Sequence, residues 1–217
     1  MADYTEEEQV EALRRWWAEN GTGVIVAVVL AVAAIVGWRH WGNYRETEAA
    51  NASVVYQSMQ DAIEQAQTRP DSEELFKAVR SSAEQLIAEY GNSAYADYAR
   101  LTLARLSVEE GDYESAAATL QEVIKAPETD TIKWVATLRL ARLKIEMKDL
   151  DGASALVTTK VPEAFAGQAL ELKGDIQRAR SDVEGARAAY EDAIELMQSD
   201  AHKELVRMKL QDLAPAS

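Results

Sequence analysis

The sequence has no cysteine and only two histidines among its 217 residues. The lack of cysteine excludes disulfide bonds, thiolate metal sites and a cysteine nucleophile. His40 and His202 lie far apart, and neither has a carboxylate or a second histidine at the spacing of metal ligands. A Gly-rich phosphate loop is also missing. We therefore predict that the protein is not an enzyme and uses no cofactor or metal.

Proline and glycine are scarce, at 4 and 10 residues, whereas Ala, Leu, Glu and Arg recur at helical intervals. Few helix breakers and many strong helix formers predict an all-α fold. Basic residues are outnumbered, with 23 Lys and Arg against 37 Asp and Glu, and the formal net charge is −14. Because an acidic surface repels phosphate backbones, we predict no nucleic-acid partner.

One long stretch lacks charge altogether. Asn20–Trp38 contains no Asp, Glu, Lys or Arg, and its centre, Val24–Val36, is entirely apolar. A bilayer core of about 30 Å is crossed by roughly 20 residues of helix. We therefore predict a single transmembrane helix over residues 21–41, which follows an N-terminal segment of residues 1–20.

Four of the five tryptophans bracket this stretch: Trp16 and Trp17 precede it, and Trp38 and Trp41 follow it. The indole ring favours the membrane–water interface because its body is apolar and its N–H needs a partner. The spacing from Trp17 to Trp38 corresponds to about 31 Å of helix, which matches the hydrocarbon thickness. We predict that these four side chains mark the membrane interface.

Two other interpretations of the apolar stretch remain open. A buried core helix explains the apolar run but not the flanking tryptophans. A cleaved signal peptide needs a basic start and a small-residue cleavage site, whereas this chain starts MADYTEEEQVEA and has Ala-x-Ala only inside the run. The basic residues near the span give no orientation, since two arginines lie on each side.

The rest of the chain contains internal repeats. Residues 99–116 align with residues 136–153 at an offset of 37, and a looser third copy, residues 169–186, follows at an offset of 33. Similarity at this spacing predicts a solenoid of stacked helical hairpins. An Asp precedes an apolar residue in each copy, which predicts N-caps at Asp112, Asp149 and Asp182 and helices that begin near Tyr113, Leu150 and Val183. A small residue follows early in each second helix, at Ala116, Ala153 and Ala186, where it permits close helix packing.

Two more helical stretches, Arg45–Gln67 and Ser72–Tyr90, precede the repeats. Pro70 separates them, and Asp71 or Ser72 is suited to cap the second. We interpret this pair as a diverged first hairpin, and Ala201–Leu213 as a C-terminal capping helix. The domain is thus predicted to contain about four hairpins and a cap.

The repeats resemble tetratricopeptide repeats. Leu103-Ala104, Gly111-Asp112-Tyr113, Ala116 and Pro127 fit the pattern in the first copy, and the second and third copies fit it less fully. The usual period is about 34 residues, so the offset of 37 indicates a longer loop near residues 127–131.

The whole chain is similar to the YfgM family, the single-span, tetratricopeptide-like ancillary subunits of the bacterial Sec translocon. The resemblance rests on QVEALRRWWAENG, GWRHWGNYRETEAANASVVYQ, LRLARL and LELKGDIQRARSDVEGARAAYEDAI. It implies an inner-membrane protein with a cytoplasmic N-terminus and a periplasmic repeat domain over residues 42–217. It also implies association with the Sec translocon (SecYEG), with a membrane-anchored periplasmic chaperone of the prolyl-isomerase class and with exported client proteins.

Stacked hairpins form a concave surface lined by their first helices. By alignment with tetratricopeptide repeats, the candidate binding residues on this surface are Tyr98, Leu101, Arg105, Val108, Leu138, Arg142 and Ile145. The alternative is that the apolar members pack between repeats and the arginines form salt bridges. Repeats that clamp a terminal carboxylate carry Lys and Asn where Leu101 and Arg105 stand, so the resemblance does not extend to that activity.

Two functions remain in view. The first is an interaction subunit at the translocon that assists the folding or trafficking of exported proteins. The second is a self-associating envelope scaffold, for which Gly21, Gly23, Ala27, Ala31 and Ala34 would let membrane helices pack closely.

Overall fold

The computed structural model describes residues 6–69, 72–157 and 160–213, and this part of the chain is helical and contains no strand. It divides into two compact units, one ending at Asn51 and one starting at Ala52. The helices are α1 (Glu6–Thr68), α2 (Glu73–Glu89), α3 (Ala94–Glu109), α4 (Tyr113–Lys125), α5 (Asp130–Glu146), α6 (Leu150–Val157), α7 (Glu163–Ala179), α8 (Val183–Leu196) and α9 (Asp200–Gln211).

The first unit consists of α1 up to Asn51. Within the described residues, α1 carries the one stretch long and apolar enough to cross a membrane. Its apolar side chains are exposed rather than packed against protein, as Ile25, Leu30 and Ile35 illustrate. The predicted helical stretch Arg45–Gln67 is helical and forms the C-terminal part of α1, which runs on from the apolar stretch without a break.

The second unit begins with a hairpin of α1 and α2. Ala52 and Met59 of α1 share a buried cluster with Val79 and Leu86 of α2, and Ala99 of α3 closes it. Ser72 is the N-cap of α2, whereas the predicted break at Pro70 and the alternative cap Asp71 lie outside the described residues.

The three repeats have the predicted hairpin form. Their second helices α4, α6 and α8 begin at Tyr113, Leu150 and Val183. The carboxylates of Asp112, Asp149 and Asp182 accept backbone N–H groups three residues later, at 3.1, 2.9 and 2.9 Å. These bonds satisfy N–H groups that a helix start leaves without an intrahelical partner. The predicted capping helix is α9, which Ser199 caps.

Small residues bring the helices of each hairpin together. Ala116, Ala153 and Ala186 are completely buried. In the third repeat Gly174 also lies against the Tyr190 ring, and a Cβ at this glycine would fall 2.4 Å from Tyr190 Cδ1. Because real carbon atoms do not approach so closely, the crossing of α7 and α8 requires glycine at this position.

Candidate functional site

A groove of about 370 Å³ lies between α3 and α5 in the second unit. Leu101, Ala104, Leu120 and Leu143 are buried and line its floor. Val108, at its edge, is 40% exposed. A concave, mostly apolar site between packed helices has the character of a binding site for another chain.

Three arginines line the same groove: Arg105 from α3, and Arg139 and Arg142 from α5. The Arg139 guanidinium donates a hydrogen bond from Nη1 to the Leu101 carbonyl oxygen at 3.3 Å, which connects the two helices. Glu146 is the one acidic residue of the lining, in a chain whose net charge is −14. The groove is therefore a cationic site on an acidic protein.

The three guanidinium groups are close enough to repel one another. Burial lowers the pKa of Arg139, and the positive charges of Arg105 and Arg142 lower it further. Nearby carboxylates compensate weakly: Arg105 Nε lies 3.5 Å from Glu109, and Arg142 Nη2 lies 3.9 Å from Glu171. The Arg105–Glu109 pair is exposed on both sides and contributes at most about 1 kcal/mol, whereas the half-exposed Arg142 meets the buried Glu171 only at the long distance of 3.9 Å. The cluster therefore retains positive potential that a bound anion would neutralise.

The predicted binding residues divide into three groups. Leu101, Arg105, Val108 and Arg142 all line the groove. Leu138, in contrast, is buried in a cluster with Ala169 and Leu172 of α7, and Ile145 packs against the same cluster. Leu138 and Ile145 thus pack between repeats, as the alternative interpretation of the apolar residues expects. Tyr98, which is 43% exposed, is not part of the groove lining and contacts another aromatic group.

That aromatic group is Tyr56 of α1, whose ring centroid lies 5.9 Å from that of Tyr98 and 5.2 Å from that of Tyr95. The three rings join the first hairpin to α3. Tyr95 is partly buried, so the cluster serves packing on one side and presents Tyr98 on the other.

The sequence alignment missed Arg139 for a geometric reason. Leu101 and Leu138 are equivalent in the repeat, and each lies on the flank of its helix that faces the next repeat. The groove between α3 and α5 is instead lined by the other flank of α5, which is reached one residue further along the chain. Arg139 and Leu143 lie on that flank. Arg105 and Arg142 are equivalent in the two repeats, and both line the groove. The signal that would have found Arg139 is this shift of one residue between facing helices.

The third repeat carries acidic residues at two of the equivalent positions. Glu171 replaces Leu138 and Asp175 replaces Arg142, and both carboxylates are buried. Lys209 of α9 donates to Glu171 at 2.6 Å and to Asp175 at 2.7 Å. The Tyr190 hydroxyl donates to Asp175 at 2.8 Å. The acidic pair therefore has a cationic partner within the chain, and Arg142 also lies 3.9 Å from Glu171.

A second cavity, of about 580 Å³, lies where α2 turns into α3 and α4 turns into α5. Its buried carboxylate, Asp97, accepts from Arg100 at 3.0 Å and from the Glu128 backbone N–H at 2.9 Å. Asp97 therefore holds the loop that the offset of 37 predicts. Across residues 6–69, 72–157 and 160–213, no cluster of three or more His, Asp or Glu side chains is arranged to hold a metal ion.

In the first unit the predicted interface tryptophans are exposed and paired. The ring centroids of Trp16 and Trp17 are 6.3 Å apart, and those of Trp38 and Trp41 are 6.0 Å apart. The Arg45 guanidinium lies 5.5 Å from the centroid of the Trp41 ring, a cation–π contact. Membrane-interface roles for these residues remain a prediction.

Comparison with known proteins places these features in a family context. A family model described as a tetratricopeptide repeat-like domain matches residues 14–215. A protein of Escherichia coli (strain K12) is 34% identical over 96% of this chain and 97% of its own length. Relatives from Haemophilus influenzae and Neisseria gonorrhoeae are 28% and 27% identical, over 96% and 98% of this chain and 97% and 100% of their own lengths. All three are named ancillary SecYEG translocon subunit. No solved structure matches the chain.

Proposed function

The chain belongs to the YfgM family of tetratricopeptide repeat-like ancillary SecYEG translocon subunits, and we propose on that premise that it is a membrane-anchored protein–protein interaction subunit of the Sec translocon. It links the translocon to a membrane-anchored periplasmic chaperone of the prolyl-isomerase class. Through this link it assists the folding or trafficking of exported proteins. Its contribution is binding rather than catalysis.

The observation that carries this proposal is the groove between α3 and α5. Its floor is apolar and buried, its edge presents Val108, and three arginines surround it. An apolar surface at a groove between repeats has a use when another chain covers it. Because the relatives are named ancillary SecYEG translocon subunits, we expect the partner that covers the groove to belong to the translocon or to a protein associated with it.

The proposed location is the bacterial inner membrane, crossed once. Residues 1–20 lie in the cytoplasm, residues 21–41 span the bilayer and residues 42–217 lie in the periplasm. The uncharged run and its tryptophan pairs support the span. Similarity to translocon subunits supports a location in the membrane. The resemblance to their family is the reason for proposing that the N-terminus is cytoplasmic.

Site-specific photocrosslinking in intact membranes tests the proposal. A photoreactive residue replaces Val108 in the groove, and the control replaces Leu205 of α9, which is similarly exposed at 46% against 40%. We expect Val108 crosslinks to SecYEG or to the prolyl-isomerase-type chaperone, identified by mass spectrometry, and few from Leu205. Crosslinks from Val108 only to copies of the same chain would instead favour the self-associating scaffold.

A further inference from the structure

The groove also indicates what kind of segment it binds, an inference that rests on the proposed interaction function. We propose that the groove between α3 and α5 takes an acidic, apolar segment of a partner protein. An Asp or Glu of that segment meets the arginines, and a neighbouring apolar side chain covers the floor made by Leu101, Ala104, Leu120 and Leu143.

Positive and negative charges are unbalanced inside the groove. Three arginines face one lining carboxylate, Glu146. Among the described residues, the carboxylates paired with Arg105 and Arg142 are those of Glu109 at 3.5 Å and Glu171 at 3.9 Å. A carboxylate placed among the three guanidinium groups would gain charge-assisted hydrogen bonds, which are stronger than those between neutral groups.

The third repeat differs from the first two in the charge of these positions. There the concave positions hold an acidic pair, and Lys209 of the capping helix already binds both Glu171 and Asp175. The acidic patch therefore has its counter-charge within the chain. In the part of the chain that the structure describes, no carboxylate lies as close to the basic patch of the first two repeats, so charge complementarity favours an acidic ligand there.

The net charge of the chain favours a short peptide over larger polyanions as the ligand. The chain has a formal net charge of −14, which repels an anionic vesicle or a nucleic acid as a whole. A short acidic segment responds mainly to charges within about 8 Å, since salt screens more distant ones. The buried leucines of the floor further favour a ligand with apolar side chains over a bare phosphate.

The test measures peptide binding to the full chain in nanodiscs of phosphatidylcholine. The probe is a short peptide of alternating Leu and Glu that carries an uncharged fluorophore, and its neutral counterpart has Gln in place of Glu. Arg105→Glu reverses one charge of the groove. Arg207→Glu is the matched control, because both arginines are about half exposed and pair with a glutamate one turn away.

We expect the Glu peptide to bind at least about fivefold more tightly than the Gln peptide, a difference that shrinks at high salt. Arg105→Glu should abolish this preference without weakening the Gln peptide, whereas Arg207→Glu should leave it intact. Circular dichroism verifies that each variant keeps its helical content. Arg105→Lys, which keeps the charge, should retain part of the preference.

Equal binding of the two peptides, or binding of neither, overturns the inference. The interaction function is judged separately by the Val108 crosslinks, so the two failures are distinguishable. Vesicles of phosphatidylglycerol provide the last comparison. Displacement of the peptide by these vesicles, lost in Arg105→Glu, would identify the groove as a lipid site and would also overturn the proposal.

Discussion

Lys209 joins the capping helix α9 to the buried acidic pair of the third repeat. Its ammonium group pairs closely with both Glu171 and Asp175, whose side chains are 7% and 11% exposed, while Arg142 reaches Glu171 only at 3.9 Å. Removing one partner of a buried ion pair leaves an uncompensated charge, and this costs several kcal/mol where burial is complete. Lys209 itself is 21% exposed, so water lessens the penalty.

We expect Lys209→Met to lower the free energy of unfolding by about 2 kcal/mol, since methionine keeps the aliphatic stem but not the charge. Urea unfolding followed by circular dichroism measures the effect. Lys173→Met, at an exposed position of α7, is the control and should change little. In a background with Glu171→Gln and Asp175→Asn, the cost of Lys209→Met should shrink. An equal cost in both backgrounds would contradict the pairing.

Tyr190 gives the same cluster a pH dependence. Burial, and next the hydrogen bond to Asp175, raise the pKa of its hydroxyl, while Glu171 raises it and Arg178 lowers it through charge. A raised pKa means that the folded state keeps a proton which the unfolded state loses above about pH 10. The stabilisation is therefore complete below that pH and is lost as the pH rises above it.

The unfolding free energy should accordingly fall above about pH 10, by as much as about 1.4 kcal/mol per pH unit from this one group. Tyr190→Phe should lower stability near neutral pH and flatten the alkaline decline. Tyr113→Phe removes the hydroxyl of an exposed tyrosine and should leave the slope unchanged. Identical slopes for Tyr190→Phe and the unaltered chain would rule out the assigned role.

At the scale of the elements, the turn between the two helices of each repeat contains one left-handed residue. The three copies place Gly111, Lys148 and Ser181 there, with φ angles of 80°, 64° and 64°. Glycine adopts this conformation without strain, whereas a residue with a Cβ pays about 1 kcal/mol or more. A Cβ at Gly111 would meet nothing within 4 Å, so the cost at this position is conformational rather than steric.

We therefore expect Ser181→Gly and Lys148→Gly each to raise the free energy of unfolding by up to about 1 kcal/mol, and Gly111→Ser to lower it similarly. Thermal unfolding of the full chain measures these changes. Arg180→Gly, one residue earlier at φ −84°, has no strain to relieve and serves as the control. A gain from Arg180→Gly as large as from Ser181→Gly would refute the explanation.

Some features of the helices could be predicted from the sequence and others could not. The starts of α4, α6 and α8 were predictable because an Asp and the three residues after it make the cap, a local interaction. The continuity of α1 was harder to predict, because Gly42 lies between the span and the next helical stretch, and a glycine weakens a helix without necessarily ending it. The left-handed turn residues align in the three copies, but lysine and serine rarely adopt a positive φ, so Lys148 and Ser181 do not predict this conformation as Gly111 does.

At the scale of the molecule, the residues that line the groove could not be identified without the three-dimensional structure. Repeat alignment selects equivalent positions, which point in equivalent directions, so it paired Leu101 with Leu138. A groove between neighbouring repeats joins non-equivalent flanks, and this is why Arg139 replaced Leu138 in the lining. The occupation of the acidic patch by Lys209 depends on where α9 packs, and no local pattern of residues specifies that.

The lack of cysteine makes the proposed topology directly testable, because a single introduced thiol is the only one to react. Glu11→Cys reports on the segment before the span and Tyr113→Cys on the repeat domain, and both positions are exposed. In spheroplasts, a membrane-impermeant maleimide should label Tyr113→Cys at once and Glu11→Cys only after permeabilisation. The cysteine-free chain controls for background. The reverse order of labelling would place the groove in the cytoplasm, where it cannot meet a periplasmic chaperone or an exported chain.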